Sequence, residues 1–190
     1  NPPKVTAVVG DGKVTLYWDT SAEQTRDKYM GKITNGVDLY DFEGYKVYRA
    51  TDFEFNDAYN ITDGDGNATF MEPYVQNGIP ARWDLVNGKK GWHPIDLNGV
   101  KFYLGDDTGL VHSYVDNNVV NGQRYYYAVV SYDYGGDITN NIIPSDSPMR
   151  LRVHPLTGAI EMGPNVVEVV PSPPAAGYVE ATFSGEKIDH

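Results

Sequence analysis

Short runs in which the side chains alternate with a period of two are the feature that most constrains how this chain can fold. The stretch NGQRYYYAVVSYD, residues 121–133, places Tyr125, Tyr127 and Val129 on one side of an extended backbone. Successive side chains of a β-strand point to opposite faces, so this stretch predicts a strand that follows an Asn-Gly turn. The same pattern does not fit the 3.6-residue period of an amphipathic helix.

Three other stretches show strand patterns. Residues 4–19, KVTAVVGDGKVTLYWD, predict two strands around Gly10-Asp11-Gly12, and the second strand carries Val14, Leu16 and Trp18 on one face. Residues 41–50, DFEGYKVYRA, alternate in the same way, and residues 144–153, PSDSPMRLRV, predict a final strand entered through prolines. Period-two strands separated by turns, with almost no helical periodicity, predict an all-β antiparallel sandwich.

The order of these pieces resembles a fibronectin type III domain of the kind found in large bacterial surface proteins. The matching stretches are PPKVTAVVGDGKVTLYWD, GYKVYRA, YVDNNVVNGQRYYYAVVSYD and PSDSPMRLRV. The resemblance implies an immunoglobulin-like sandwich over residues 1–153, with Trp18 in the core and Tyr125 pinning a loop through its hydroxyl group. Trp18 and Tyr125 should then be buried on opposite sheets. The resemblance implies a fold and no particular activity, because domains of this family serve adhesion, spacing and docking alike.

The chain departs from that family in a long insertion at about residues 50–99. Loops of such length are normally functional or separately folded. The insertion is rich in large aromatic side chains, which argues against disorder: Phe53, Phe55, Tyr59, Phe70, Tyr74, Trp83 and Trp92. We therefore expect an ordered subdomain that caps one side or one end of the sandwich.

One acidic motif in the insertion has two interpretations. In TDGDGNATF, the side chains of Asp63, Asp65 and Asn67 are spaced two apart, so their oxygens could converge on calcium. The motif is not an EF-hand loop, because Ala68 and Tyr74 stand where that loop needs glycine and glutamate. The other interpretation is a glycine-rich β-turn in which these side chains bind their own backbone.

A second motif, ARWDLVNGKKGWHPIDLNG, carries Trp83, Trp92 and His93. Aromatic faces on a rigid loop suit a sugar-binding surface, so these three residues are candidate ligand-binding residues. The alternative is that both tryptophans form the small core of the insertion and that His93 is a structural hydrogen-bonding residue.

Composition disfavours several classes of function. The formal net charge is -11, which disfavours nucleic acid as a partner. The chain has no cysteine and no apolar run long enough for a membrane helix. Its four histidines are scattered, without an HExxH motif, a GxSxG elbow or a nucleotide-binding glycine loop. These observations predict that the fragment is not an enzyme.

The C-terminal segment, residues 154–190, extends beyond the resemblance. NVVEVV, residues 165–170, predicts a strand, and PSPPAAGYV, residues 171–179, predicts an extended proline-rich connector. This order resembles the approach to a further domain in large bacterial exported proteins. The β-branched strand should pair with a sheet edge, because it would otherwise promote aggregation. We expect that edge to belong to the same chain or to the next domain.

The sequence therefore predicts a non-catalytic module that spaces domains and presents the insertion, in a multidomain secreted or cell-surface protein. Its start, NPPKV, has no signal-peptide pattern, so we expect a piece of a longer exported chain. The expected partners are neighbouring domains or other surface proteins. One alternative is a carbohydrate-binding accessory module that uses Trp83 and Trp92 on a polysaccharide. Another is a subunit of an extracellular filament that donates the strand of its tail.

Overall fold

The computed structural model describes residues 1–27, 32, 40–136, 141–149 and 151–174. The described part is all-β, with antiparallel sheets, and it contains no helix long and apolar enough to cross a membrane. The elements are the 3₁₀ helix Asn56–Ala58 and the strands β1 (Val5–Gly10), β2 (Lys13–Trp18), β3 (Phe42–Ala50), β4 (Tyr59–Thr62), β5 (Ala68–Met71), β6 (Val75–Gln76), β7 (Ile79–Pro80), β8 (Arg82–Asp84), β9 (Trp92–Leu97), β10 (Val100–Tyr103), β11 (Ser113–Asp116), β12 (Tyr125–Asp133), β13 (Leu151–Val153), β14 (Ile160–Met162) and β15 (Val166–Val169).

Two sheets enclose the main core, as in a β-sandwich. One has the strand order β1-β2-β11, and the other has the order β15-β12-β3-β8. The β1–β2 hairpin turns at Asp11-Gly12, where Gly12 takes the positive φ of 60° that the sequence predicted for this turn. All the strand pairs in both sheets are antiparallel.

The core between the sheets uses the faces that the alternation predicted. Trp18 and Tyr125 are buried on opposite sheets, which confirms that expectation. The ring of Trp18 lies edge-on to Tyr45 at 5.8 Å between centroids. The inner core is made of residues from both sheets, chiefly Val5, Val14, Leu16, Trp18, Tyr45, Val47, Tyr125, Tyr127, Val129 and Val169.

The outer edge of β12 is filled by two separate segments. Near one end of β12, the Asp133 amide donates to the Ser145 carbonyl, and the Ser147 amide donates to the Ser131 carbonyl. The chain then leaves the sheet to form the β13–β14 hairpin, and it returns as β15, which pairs with β12 from Tyr125 to Ala128. The sandwich thus extends beyond residue 153, where the sequence placed its end. The predicted tail strand pairs within its own chain, as expected.

The insertion is ordered and covers the outer face of the four-stranded sheet. It contributes β8 to that sheet and forms the hairpins β4–β5, β6–β7 and β9–β10. A second core lies on this outer face and contains Tyr48, Ala50, Phe55, Ala58, Tyr126, Ala128, Val130 and Val166. Strand β12 is apolar on both faces, so each face must be covered. The three-stranded sheet covers its inner face, and the insertion and the β13–β14 hairpin cover its outer face.

One sequence-based expectation lies mostly outside the described residues. Residues 175–190 include most of the proline-rich connector and its continuation toward a further domain.

Candidate functional site

A cleft of about 600 Å³ opens between the insertion and the outer face of the four-stranded sheet. Lys46 and Tyr48 of β3 form its floor, and residues 143–146 close one side. The hairpins β4–β5 and β9–β10 form its walls. This volume lies within the range of small-molecule and side-chain pockets, which are typically concave and mostly apolar.

The walls of the cleft are mainly apolar and aromatic. They contain Tyr59, Ile61, Phe70, Met71, Trp92, Ile95, Leu97, Val100, Phe102 and Tyr103. Trp92 is 66% exposed, although it is among the largest side chains of the chain. Its ring stands edge-on to Tyr103 at 4.8 Å between centroids, and the Arg82 guanidinium lies 4.4 Å from the centroid of Tyr103. A rigid aromatic surface therefore faces solvent at the mouth of the cleft.

The polar groups on the floor are paired with one another. Lys46 Nζ lies 2.8 Å from Asp146 Oδ1, and the Tyr48 hydroxyl donates to Asp146 Oδ2 at 2.6 Å. Burial lowers the pKa of Lys46, and the neighbouring Asp146 carboxylate opposes this effect only in part. The floor therefore offers few unpaired hydrogen-bonding groups to a ligand.

The candidate ligand-binding residues of the sequence lie in three different environments. Trp92 lines the cleft, whereas Trp83 packs against the inner core, 5.8 Å from Trp18 and 5.4 Å from Tyr114 between ring centroids. His93 is buried, and its Nε2 lies 2.8 Å from the Gly136 carbonyl oxygen. Since a carbonyl only accepts, Nε2 carries the proton and His93 is a structural hydrogen-bond donor. The two tryptophans do not line a common surface.

The acidic motif of the insertion forms a turn closed by its own backbone. Asp63 Oδ1 accepts hydrogen bonds from the amides of Asp65, at 3.0 Å, and Asn67, at 2.9 Å. These bonds lower the pKa of Asp63 below its usual value, and the bond from the Asn67 amide has the largest effect. This is the arrangement of the turn interpretation. The side-chain amide of Asn67 also lies 3.4 Å from Asp63 Oδ2, so a second bond of the same turn engages this carboxylate.

A smaller, acidic cleft of about 440 Å³ lies at one end of the four-stranded sheet. It contains Asp27, Asp41 and Asp133. Burial, together with repulsion from Asp133 and Asp27, raises the pKa of Asp41 to about 6. Within the described ranges, no group of three or more histidine, aspartate and glutamate side chains could hold a metal ion.

Sequence reasoning missed the residues that join the cleft floor to its walls. Lys46 and Tyr48 lie on the outer face of β3, and Asp146 lies 100 residues from Lys46 in the chain. The available signal was a lysine between the apolar and aromatic residues Tyr45, Val47 and Tyr48, because such a lysine needs a partner when the face is covered. Nothing local indicated that the partner would be Asp146.

Comparisons of the chain with protein-family models, with curated proteins and with solved structures gave no match. The function is therefore argued from the geometry of the cleft and of the two sheets.

Proposed function

We propose that this chain is a non-catalytic, fibronectin type III-like interaction module of a multidomain secreted or cell-surface protein. Its insertion presents the cleft between β4–β5 and β9–β10 to an apolar segment of a neighbouring domain or of another surface protein. The observation that carries the proposal is the exposed Trp92 at the mouth of a cleft whose polar floor groups are already paired.

Two features support the fibronectin type III part of the proposal. The strand orders β1-β2-β11 and β15-β12-β3-β8 follow the three-plus-four pattern of that family's sandwich. The Tyr125 hydroxyl accepts a hydrogen bond from the Val120 amide at 2.9 Å, in the position of a tyrosine corner.

The chemistry of the cleft favours an apolar protein segment. Large apolar and aromatic side chains anchor protein partners when they enter well-packed pockets, and such anchors contribute most of the binding free energy. Lys46 and Asp146 already satisfy each other, and Glu72 accepts from the Asn60 side chain, so the cleft needs few polar groups from its ligand.

A carbohydrate-binding module is the second candidate, and Trp92 is the observation that favours it. An exposed indole ring can stack on the apolar face of a sugar. The candidate sugar-binding surface consists of Trp92 and Tyr103, because Trp83 packs against the inner core. The filament alternative gains no support from the tail, since β15 pairs with β12 of the same chain.

Binding to the cleft is tested with a displayed random-peptide library and a panel of soluble polysaccharides. We expect selected peptides to bind the wild type and to lose about tenfold or more of their affinity, equivalent to ~1.4 kcal/mol, in Trp92→Ala. The matched control is Leu156→Ala, because Leu156 is also strongly exposed and does not line the cleft. Peptide affinities that are equal in wild type and Trp92→Ala would refute the cleft as the binding site. Trp92-dependent retardation by a polysaccharide, without peptide binding, would favour the second candidate.

A further inference from the structure

Lys46 and Asp146 bring together two segments that are 100 residues apart in the chain. Lys46 belongs to β3, in the interior of the four-stranded sheet, and Asp146 lies in the segment that pairs with the end of β12. Their side chains meet at 2.8 Å between Nζ and Oδ1. The side chain of Lys46 is only 8% exposed, and that of Asp146 is 28% exposed.

The surroundings of the lysine amine are aromatic. Nζ lies 3.7 Å from the ring centroid of Phe102 and 4.8 Å from that of Tyr132. Burial lowers the pKa of the Lys46 amine, so its neutral form is reached more easily here than in water. A neutral, desolvated lysine amine is a nucleophile.

We propose that Nζ of Lys46 and Cγ of Asp146 become joined by an amide bond after the chain folds. In this step the Nζ–Cγ bond forms and the Cγ–Oδ1 bond breaks. Two protons leave Nζ with Oδ1 as one water molecule, so the ammonium and carboxylate charges both disappear and no oxidant or other reactant is needed. Oδ2 remains as the carbonyl oxygen of the new amide.

Two features of the site favour this reaction. The Tyr48 hydroxyl donates to Oδ2 at 2.6 Å, so it would stabilise the negative charge that develops on this oxygen during attack. The fold also holds amine and carboxyl in contact, and well-oriented groups of this kind reach effective concentrations on the order of 10⁵–10⁸ M. Condensation of a free amine and a free acid in water lacks this advantage.

A second lysine–aspartate pair in the chain provides a matched comparison. Lys90 Nζ and Asp107 Oδ2 also lie 2.8 Å apart. The Lys90 side chain, however, is 57% exposed, and the Asp107 carboxylate raises the pKa of the Lys90 amine. Since a solvated lysine amine that keeps its proton is not a nucleophile, we expect no amide at this pair, although the Asp107 side chain is only 16% exposed.

The amide would bind the cover of the outer face to the sheet covalently. It would close a loop from Lys46 to Asp146 that contains the insertion and the whole of β12. A force applied to the two ends of the chain would then not be transmitted through that loop. This inference does not depend on the proposed binding function of the cleft.

The test is the intact mass of the folded and then denatured wild-type chain, followed by tryptic mapping. We expect a mass lower than that of the sequence by one water molecule, and a branched peptide that joins the segments around Lys46 and Asp146. Lys46→Arg and Asp146→Ala should retain the full sequence mass, and Tyr48→Phe should lose water more slowly. Lys90→Arg should lose water as the wild type does.

Two results would overturn the proposal. One is a wild-type chain with the full sequence mass after prolonged incubation in the folded state. The other is a water loss that maps to a cyclic imide at an Asp-Gly pair, of which the chain has Asp11-Gly12, Asp63-Gly64 and Asp65-Gly66. Neither result depends on whether a variant folds, because both are measured on the wild type.

Discussion

Arg49 of β3 and Asp116 of β11 form an ion pair that connects the two sheets, with 2.9 Å between Nη1 and Oδ2. Asp116 is fully buried, and it also accepts hydrogen bonds from the Tyr127 hydroxyl, at 2.7 Å, and from the Asn118 amide, at 2.8 Å. The Asp116 carboxylate, on β11 of one sheet, thus accepts from two side chains of the other sheet and from the amide of the loop that follows β11. A buried charge satisfied in this way fixes how the sheets are aligned, because any shift would leave it unpaired.

Replacement of Asp116 by alanine should destabilise the fold strongly. The change leaves the Arg49 guanidinium with one accepting partner, the Asn118 carbonyl, and removes the acceptor of the buried Tyr127 hydroxyl. We expect the free energy of unfolding to fall by roughly 3–5 kcal/mol in urea denaturation. The control is Glu168→Ala, which breaks the exposed pair with Arg124 and should cost less than about 1 kcal/mol. Equal losses in the two variants would contradict the role assigned to Asp116.

Removal of the Tyr125 hydroxyl tests the loop that precedes β12. Tyr125→Phe keeps the buried ring but leaves the Val120 amide without its 2.9 Å partner. We expect a loss of roughly 1–2 kcal/mol in the free energy of unfolding, measured by thermal or chemical denaturation. Tyr17→Phe is the matched control, since the Tyr17 side chain is exposed and its substitution should be close to neutral. A neutral Tyr125→Phe would show that the hydroxyl does not stabilise the loop.

Glu43 should make the fold less stable as pH rises through the mildly acidic range. Burial raises the pKa of Glu43 to about 7, and its Oε2 accepts only one hydrogen bond, from the Asn87 side chain. Between the ordinary glutamate pKa and about 7, the folded state therefore binds more protons than the unfolded state. The stability that protonated Glu43 contributes is fully present below the ordinary glutamate pKa, and it is lost as pH rises through about 7.

The variant Glu43→Gln removes this titration and isolates its effect. The quantity to compare is the free energy of unfolding of Glu43→Gln minus that of the wild type. We expect this difference to be more positive at pH 8 than at pH 4 by roughly 1–3 kcal/mol. Urea denaturation across this pH range measures the effect, and Glu161→Gln, on the exposed side of β14, provides the control. Parallel pH curves for wild type and Glu43→Gln would contradict the prediction.

Calcium should not stabilise the turn around Asp63. Oδ1 of Asp63 accepts hydrogen bonds from two backbone amides, so its own turn already engages this oxygen. We expect the melting temperature to stay constant in millimolar calcium, because only a ligand that binds the folded state raises it. A rise that disappears when Asp63 and Asp65 are both changed to alanine would instead establish the calcium interpretation of the sequence.

The candidate site was only partly predictable. An aromatic insertion that caps the sandwich, and Trp92 as an exposed ligand-binding candidate, followed from the sequence. The pairing of Lys46 with Asp146 and the core position of Trp83 did not, because each depends on which segments meet across the sheet. The interpretation in which both tryptophans form the small core of the insertion differs from the structure at each ring. Trp83 contributes to the core of the sandwich itself, and Trp92 remains at the surface.

The sequence by itself determined the central strands and the faces they turn inward. In β2 and β12, the alternation of side chains and the adjacent Asp-Gly and Asn-Gly turns are local signals, and the pleat of a strand converts them directly into an inner face. Only the tertiary structure decided what covers the other face of β12 and what fills its edge. Residues 145–147 and β15 pair with that edge, whereas β13 pairs with β14, and the choice among these segments is a competition between long-range contacts. Residues 145–147 and β15 occupy the edge because the segment between them packs Met149, Leu151 and Met162 against the outer core. No local pattern encodes that gain.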